Sequence, residues 1–207
     1  MIMDLSKIIT KEFVEELISN LNKIGITTYN IECILAEGSA IYLDSFNDID
    51  FKVIVKRYNN KAEISQTFEI QGHKVECCYY TFKDWNRIFE YRTNAHYIAE
   101  SPDMICVYGD DSRFTRYDVI NNKDLQKYVL NVYDKGLFNY DENQKKIRRM
   151  SNKRLWNFLL FAYKLTNKSN TLTASQVATM QKAHDLELDK EEFRPLFNQI
   201  KGSVNNE

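Results

Sequence analysis

Two aspartates separated by one apolar residue, Asp48 and Asp50, stand at the start of an apolar, β-branched run. In a β-strand, residues i and i+2 project from the same face, so these two carboxylates are predicted to lie side by side. Carboxylates held a few ångströms apart repel each other and are costly to place together unless a cation lies between them. Hard oxygen ligands on a rigid strand suit Mg²⁺, which takes its remaining ligands from water and substrate phosphates. The pattern therefore predicts a divalent-metal site.

A glycine–serine turn, Gly38-Ser39, precedes the acidic pair and is separated from it by the short loop 40–47. Together the turn, the loop, Asp48-Ile49-Asp50 and the apolar strand that follows resemble the signature of the DNA-polymerase-β-like nucleotidyltransferase superfamily. The resemblance covers residues 25–82. It implies that Gly38 and Ser39 present backbone N–H groups and a hydroxyl to a bound triphosphate. The physical reason is that glycine permits close approach of the backbone and helix N-termini favour phosphate.

A third carboxylate is expected elsewhere, because two-metal phosphoryl transfer needs a group that binds the catalytic metal and draws a proton from the attacking hydroxyl. Residues 67–70 and 73–82 predict a hairpin around Gly72, and Glu76 is a lone acid in its apolar second strand. Such a carboxylate is expensive to bury, so we expect Glu76 to face a site. It matches the third acid of the superfamily, where aspartate is commoner. The alternatives are a solvent-facing Glu76, or Glu63 or Glu69 as the third acid.

The activity that the resemblance implies is transfer of an NMP from an NTP to a hydroxyl acceptor, with Mg²⁺ or Mn²⁺ as cofactor and pyrophosphate as product. Asp48 and Asp50 would hold two ions, Glu76 would share one of them, and all three acids would be catalytic. Metal ions and orientation supply most of the catalysis in such reactions, so three carboxylates and a phosphate-binding turn suffice. The acceptor stays open between a small molecule such as an aminoglycoside, a protein side chain and an RNA 3′ end.

Composition limits the class of protein and its partners. The chain has 207 residues, 43% of them hydrophobic, which is ample for a packed core. Its net charge of −1 provides no basic field for nucleic acid, and this disfavours duplex DNA as a partner. No apolar run reaches the length of a membrane span, and residues 1–24 do not resemble a signal peptide. The four cysteines lack zinc-binding spacing, so we expect free thiols in a cytoplasmic protein. With no apolar run of sufficient length, we expect no membrane partner.

Hydrophobic periodicity predicts an α+β chain. A small mixed sheet flanked by helices is expected over residues 1–118 and a C-terminal α-helical lobe over residues 119–207, and the resemblance implies that the first of these is a nucleotidyltransferase-like core. The predicted strands include 31–35, the run after Asp48, the hairpin and 104–108. The predicted helices include 5–24, 141–167, 173–186 with Thr173 as its N-cap, and 190–200 with Pro195 inside it.

One basic run, KKIRRMSNKR at residues 145–154, lies in the predicted lobe. It could neutralise triphosphate charge, hold an RNA acceptor or form a solvated helix face. Polymerase-β-like enzymes often place a lysine and a stacking aromatic on the helix after the catalytic core. If part of this run reaches the nucleotide, we expect it to be Lys153 and Arg154, followed by the aromatic stretch to Tyr163; by the resemblance, Lys153 and Tyr163 would bind the nucleotide.

Two other functional classes remain open at this point. One is a non-catalytic or regulatory protein of nucleotidyltransferase fold, such as a partner in a toxin–antitoxin pair. The other is an RNA-binding module that uses the helix 145–154, with tyrosines for base stacking. Loss of Mg²⁺-dependent NTP binding when Asp48 and Asp50 are replaced by alanine would favour the enzyme over both.

Overall fold

The computed structural model of the protein describes residues 5–57, 65–87, 95–141 and 149–206. The chain divides into two compact units, one made of residues 1–88 and 103–115 and the other of residues 89–102 and 116–207. A mixed five-stranded sheet together with eight α-helices in the described residues confirms the predicted α+β class. The division of the chain at residue 118 stays a prediction.

The first unit contains the sheet. Its strands are β1 (Ile31–Glu37), β2 (Ile49–Val55), β3 (Ser65–Ile70), β4 (His73–Tyr80) and β5 (Ile105–Gly109). They are arranged in the order β3-β4-β2-β1-β5, with β2 and β4 parallel and the other neighbouring pairs antiparallel. The predicted hairpin is confirmed: β3 and β4 are joined by Gln71 and Gly72, whose φ angles of 50° and 79° suit a two-residue hairpin turn.

Residue alternation gives the two faces of this sheet different roles. On one face, Phe51 of β2 packs against Phe13 of α1 (Lys11–Lys23), with 6.3 Å between ring centroids. Leu17 and Leu21 of α1 are fully buried on the same side. Because successive strand residues point to opposite faces, Asp50 projects from the face that α1 does not cover.

The N-terminal helix is shorter than the apolar stripe from Leu5 to Ile24 predicts. A 3₁₀ turn at Leu5–Lys7 comes first, and α1 then begins after Thr10, whose hydroxyl accepts from the Phe13 N–H at 3.3 Å. Two short helices also belong to the first unit, α2 (Ser39–Tyr42) directly after β1 and α3 (Phe82–Trp85) after β4.

The second unit is helical. Its helices are α4 (Ala95–Glu100), α5 (Lys123–Tyr133), α6 (Leu155–Asn167), α7 (Ala174–His184) and α8 (Arg194–Asn206). Phe158 on α6 contacts Tyr133 and Phe138 edge-to-face, with ring centroids 5.5 and 5.0 Å apart. Because α6 is buried on nearly every side, it is the central helix of this unit.

The predicted helix 141–167 is wrong in its described N-terminal part. Met150 and Ser151 are not helical, since Ser151 is extended (φ −73°, ψ 161°) and the Met150 N–H donates to the Gly136 carbonyl at 2.7 Å. A 3₁₀ turn at Asn152–Arg154 then leads into α6. Residues 142–148 lie outside the described residues.

The two C-terminal helices are close to their predictions. Thr173 is confirmed as an N-cap, because its side chain accepts from the Gln176 N–H and the Gln176 side chain accepts from the Thr173 N–H. Pro195 lies in the first turn of α8, where a missing N–H costs little, and that helix continues to Asn206. Among the helices that the structure describes, none has the length and apolar character needed to cross a bilayer.

Candidate metal site

The three predicted acids come together in the first unit. Asp48 lies one residue before β2, Asp50 is the second residue of that strand, and Glu76 lies on β4. Asp50 and Glu76 are register partners across the parallel pair. Each of the three residues offers a carboxylate oxygen, and these oxygens lie within 4.8 Å of one another. The chain therefore contains an acidic cluster that could hold a metal ion.

Strand alternation explains why Glu76 faces this cluster. Its neighbours Val75 and Cys77 are fully buried in the core beneath α1, so the side chain between them projects from the opposite face. Glu76 is half-buried at this position. A carboxylate in an apolar strand is thus accommodated beside two other acids, an arrangement that a cation would stabilise.

Gly38 lies in close contact with one of the acids. Its φ is +77°, in the region that favours glycine, and a Cβ atom built on it would be 2.5 Å from Asp50 Oδ2. Ser39 follows as the buried first residue of α2. The predicted glycine–serine turn therefore brings its backbone against the acidic cluster.

The environment of Asp50 makes ionisation of its carboxyl group less favourable than in water. Burial raises the pKa of Asp50 to about 7, and the negative charges of Glu37, Asp48 and Glu76 contribute in the same direction. The charge of Lys52 acts in the opposite direction. A bound divalent cation would be the largest local charge and would favour the ionised carboxylate.

Two lysines at the site were missed by the sequence analysis. Lys74 Nζ lies 3.0 Å from Asp48 Oδ2, and this hydrogen bond raises the pKa of the lysine. Lys52 Nζ lies 2.6 Å from Oε1 of Glu37, and both of these side chains are buried. Both lysines could have been found from the sequence, because strand residues two apart share a face. Lys52 follows Asp50 by two residues, and Lys74 precedes Glu76 by two.

The donor set fits a hard divalent cation. Three carboxylates supply oxygen ligands, which suit Mg²⁺ or Mn²⁺ and leave further coordination positions for water or phosphate. The prediction of free thiols is confirmed, since none of the four cysteines forms a disulfide. Cys77 is buried on the core face, where burial raises the pKa of its thiol well above the usual range, so it is an unsuitable metal ligand.

The remaining predicted residues lie elsewhere. Glu69 is exposed on β3, and Glu63 falls outside the described residues. Lys153, in the 3₁₀ turn before α6, is exposed, and Tyr163 on α6 is half-buried with a hydrogen bond to Thr179. Both belong to the second unit, and their contact with a nucleotide stays a prediction. Residues 145–148 of the basic run are outside the described part of the chain.

Comparison with known proteins found no match to any protein-family model and none to a curated protein. A function is therefore inferred from the acidic cluster and from the residues that surround it.

Proposed function

We propose that the protein is a Mg²⁺-dependent nucleotidyltransferase of the DNA-polymerase-β-like type. It would transfer an NMP from an NTP to a hydroxyl acceptor and release pyrophosphate. The observation that carries this proposal is the cluster of Asp48, Asp50 and Glu76, whose ligand oxygens lie within 4.8 Å of one another. The position of Gly38 against Asp50 supports it further, since the same turn is the expected triphosphate-binding element.

The arrangement of the sheet also supports the proposal. Asp48 and Asp50 lie at the start of β2 and Glu76 lies on the adjacent β4, which is the placement expected if they are the acidic pair and the third acid of that superfamily. The opposite face of the sheet is occupied by the apolar core beneath α1. The acids therefore project from the other face, where Asp50 and Glu76 are held by strands and Asp48 lies directly before β2.

Each residue has a distinct expected role. Asp48, Asp50 and Glu76 would hold Mg²⁺ or Mn²⁺, which when bound neutralises triphosphate charge and lowers the pKa of the acceptor hydroxyl. Glu76 is the candidate acceptor of the hydroxyl proton, because carboxylates act as general bases when correctly placed. Gly38 and Ser39 would orient the triphosphate. A bond forms between the acceptor oxygen and the α-phosphorus as the bond to pyrophosphate breaks.

The test is a labelling experiment with each α-³²P-NTP, Mg²⁺ or Mn²⁺, and an extract of RNA, protein and small molecules. Four samples are compared: the wild type, the double variant Asp48→Asn/Asp50→Asn, the control Glu69→Gln, and the wild type with γ-³²P-NTP. The control removes an exposed carboxylate from β3, outside the cluster. We expect α-label in one class of product with the wild type and the control, and none with the double variant.

Several results would contradict the proposal. Transfer of the γ-label in place of the α-label would indicate phosphoryl rather than nucleotidyl transfer. Equal labelling by the double variant would exclude the acidic cluster as the active site. Absence of both labelling and Mg²⁺-dependent NTP binding in the wild type would remove the basis for an enzyme of this class.

A further inference from the structure

A buried ion pair adjoins the acidic cluster and is not needed to hold a metal. Lys52 Nζ lies 2.6 Å from Glu37 Oε1, and the exposed fractions of the two side chains are 0% and 5%. Removing two charges from water is expensive, and a well-packed apolar pair is often equally stable or more so. Stability alone is therefore a poor explanation for this pair.

The position of the pair relates it directly to Asp50. Glu37 is the register partner of Asp50 across the antiparallel pair β1–β2, and Lys52 follows Asp50 by two residues on β2. All three side chains consequently project from the same face of the sheet. The Lys52 ammonium thus has two carboxylates as near neighbours on one face, and it forms its ion pair with Glu37.

Aromatic rings help to hold the ammonium at this place. Lys52 Nζ lies 4.9 Å from the ring centroid of Tyr80 and 5.9 Å from that of Trp85, within the range of cation–π attraction. Trp85 is itself fixed, because it stacks on Phe114 at 4.5 Å and donates from Nε1 to the Thr115 carbonyl at 2.8 Å. The location of the Lys52 charge is thus defined by Glu37 and by a well-packed aromatic wall.

Both charges of the pair act on Asp50. Both side chains lie on the sheet face from which Asp50 projects, so their charges act on its carboxylate. If Lys52 paired with Asp50, it would neutralise a metal ligand and place a positive charge where a divalent cation is expected.

We propose that Glu37 is a positioning residue that retains the Lys52 ammonium and thereby keeps Asp50 open to a divalent cation. This inference rests on the proposed function, since it assumes that the acidic cluster binds metal. It assigns to Glu37 a role through Lys52 and not as a ligand. It also predicts that replacing Glu37 weakens metal binding, and that replacing Lys52 in the same protein restores it.

The test is binding of Mn²⁺ alone, followed by electron paramagnetic resonance, for the wild type, Glu37→Gln, Lys52→Met and the double variant Glu37→Gln/Lys52→Met. In Glu37→Gln the released ammonium turns to Asp50, so we expect metal binding about tenfold weaker. The double variant is expected to return to within about twofold of the wild type, because neither charge remains. Lys52→Met is expected to bind Mn²⁺ no more weakly than the wild type.

Thermal unfolding of each variant accompanies the titrations. If Glu37→Gln does not fold, Glu37→Asp replaces it: its carboxylate is withdrawn from Lys52 by one methylene, so we expect weaker Mn²⁺ binding that Lys52→Met restores. Unchanged binding in Glu37→Gln, or binding that the second substitution fails to restore, would overturn the inference while leaving the proposed function intact. Absence of Mn²⁺ binding in the wild type would instead overturn the proposed function and this inference together.

Discussion

Asp50 and Glu76 are register partners on the parallel strands β2 and β4, so their carboxylates project from one face of the sheet. Adjacent strands are separated by about 4.8 Å, which is the scale on which two acids share one cation. The position of each acid is set by the hydrogen-bonded ladder and by the apolar residues that flank it. The geometry of the pair is therefore a property of the sheet and not of a loop.

The first prediction concerns the side-chain length and the charge of Glu76. Glu76→Gln keeps the shape and removes the charge, so we expect transfer activity to fall by about 100-fold or more with little change in stability. Glu76→Asp keeps the charge but shortens the side chain by one methylene, so we expect a smaller loss of transfer activity than in Glu76→Gln. Initial rates of α-label transfer provide the measurement, and full activity in Glu76→Gln would show that the third acid is another residue.

The second prediction concerns the contact between Gly38 and Asp50. Gly38→Ala should weaken Mn²⁺ binding by about tenfold or more, because a Cβ atom 2.5 Å from Asp50 Oδ2 must displace that carboxylate. It also adds a side chain at φ +77°, at a cost of about 1–2 kcal/mol in the free energy of unfolding.

Gly72→Ala is the matched control for this substitution. Gly72 has a similar φ of +79°, but a Cβ atom there meets nothing within 4 Å. It should therefore show a comparable loss of stability with unchanged metal binding. Equal effects of the two variants on Mn²⁺ binding would contradict a specific contact at the site.

The third prediction concerns the exposed ion pair between Lys74 and Asp48, whose Nζ–Oδ2 distance is 3.0 Å. In the absence of nucleotide this ammonium would compete with a metal ion bound at the acids, so Lys74→Met should tighten Mn²⁺ binding by about two- to fivefold. Lys11→Met is the control, since Lys11 also pairs with an acid, Glu15, but on α1. Weaker binding in Lys74→Met would mean that the lysine supports the metal site.

The fourth prediction follows from the pKa of Asp50, which burial and neighbouring acids raise from 3.8 to about 7. Because the folded protein retains a proton that the unfolded chain loses, this group's contribution to stability falls as pH rises from about 4 to about 7. Urea unfolding in EDTA between pH 5 and pH 8 measures the effect against Asp50→Asn.

Asp50→Asn cannot titrate at this position, so its stability should fall less over the same pH range than that of the wild type. Saturating Mg²⁺ should reverse the loss in the wild type above pH 7, since the cation favours the ionised carboxylate. Identical pH profiles of the wild type and Asp50→Asn would contradict the raised pKa of Asp50.

Local patterns predicted the parts of the site that depend on strand alternation. Asp48 and Asp50 share a face because they are two residues apart, and Glu76 stands out as the one acid in an apolar strand. The hairpin around Gly72 and the N-cap at Thr173 were predictable because each depends on a few adjacent residues. The α+β class followed from the change of hydrophobic period along the chain.

Tertiary contacts account for the features that the sequence did not predict. The pairing of Lys52 with Glu37 depends on the register of β1 and β2, which no periodicity along one strand specifies. Ser151 is extended although its neighbours suit a helix, because the Met150 N–H before it bonds to the carbonyl of Gly136. Propensity is a weak guide wherever such distant partners decide the conformation.

The central claim is that Asp48, Asp50 and Glu76 form a metal site that serves nucleotide binding. Its most direct test is Mn²⁺ binding measured by electron paramagnetic resonance, without and with a non-reactive NTP analogue. The proteins compared are the wild type, Asp48→Asn/Asp50→Asn and the control Glu69→Gln. We predict that the wild type and the control bind Mn²⁺, more tightly with the analogue, and that the double variant binds it about 100-fold more weakly. Equal Mn²⁺ binding by all three proteins, or none by the wild type, would contradict the claim.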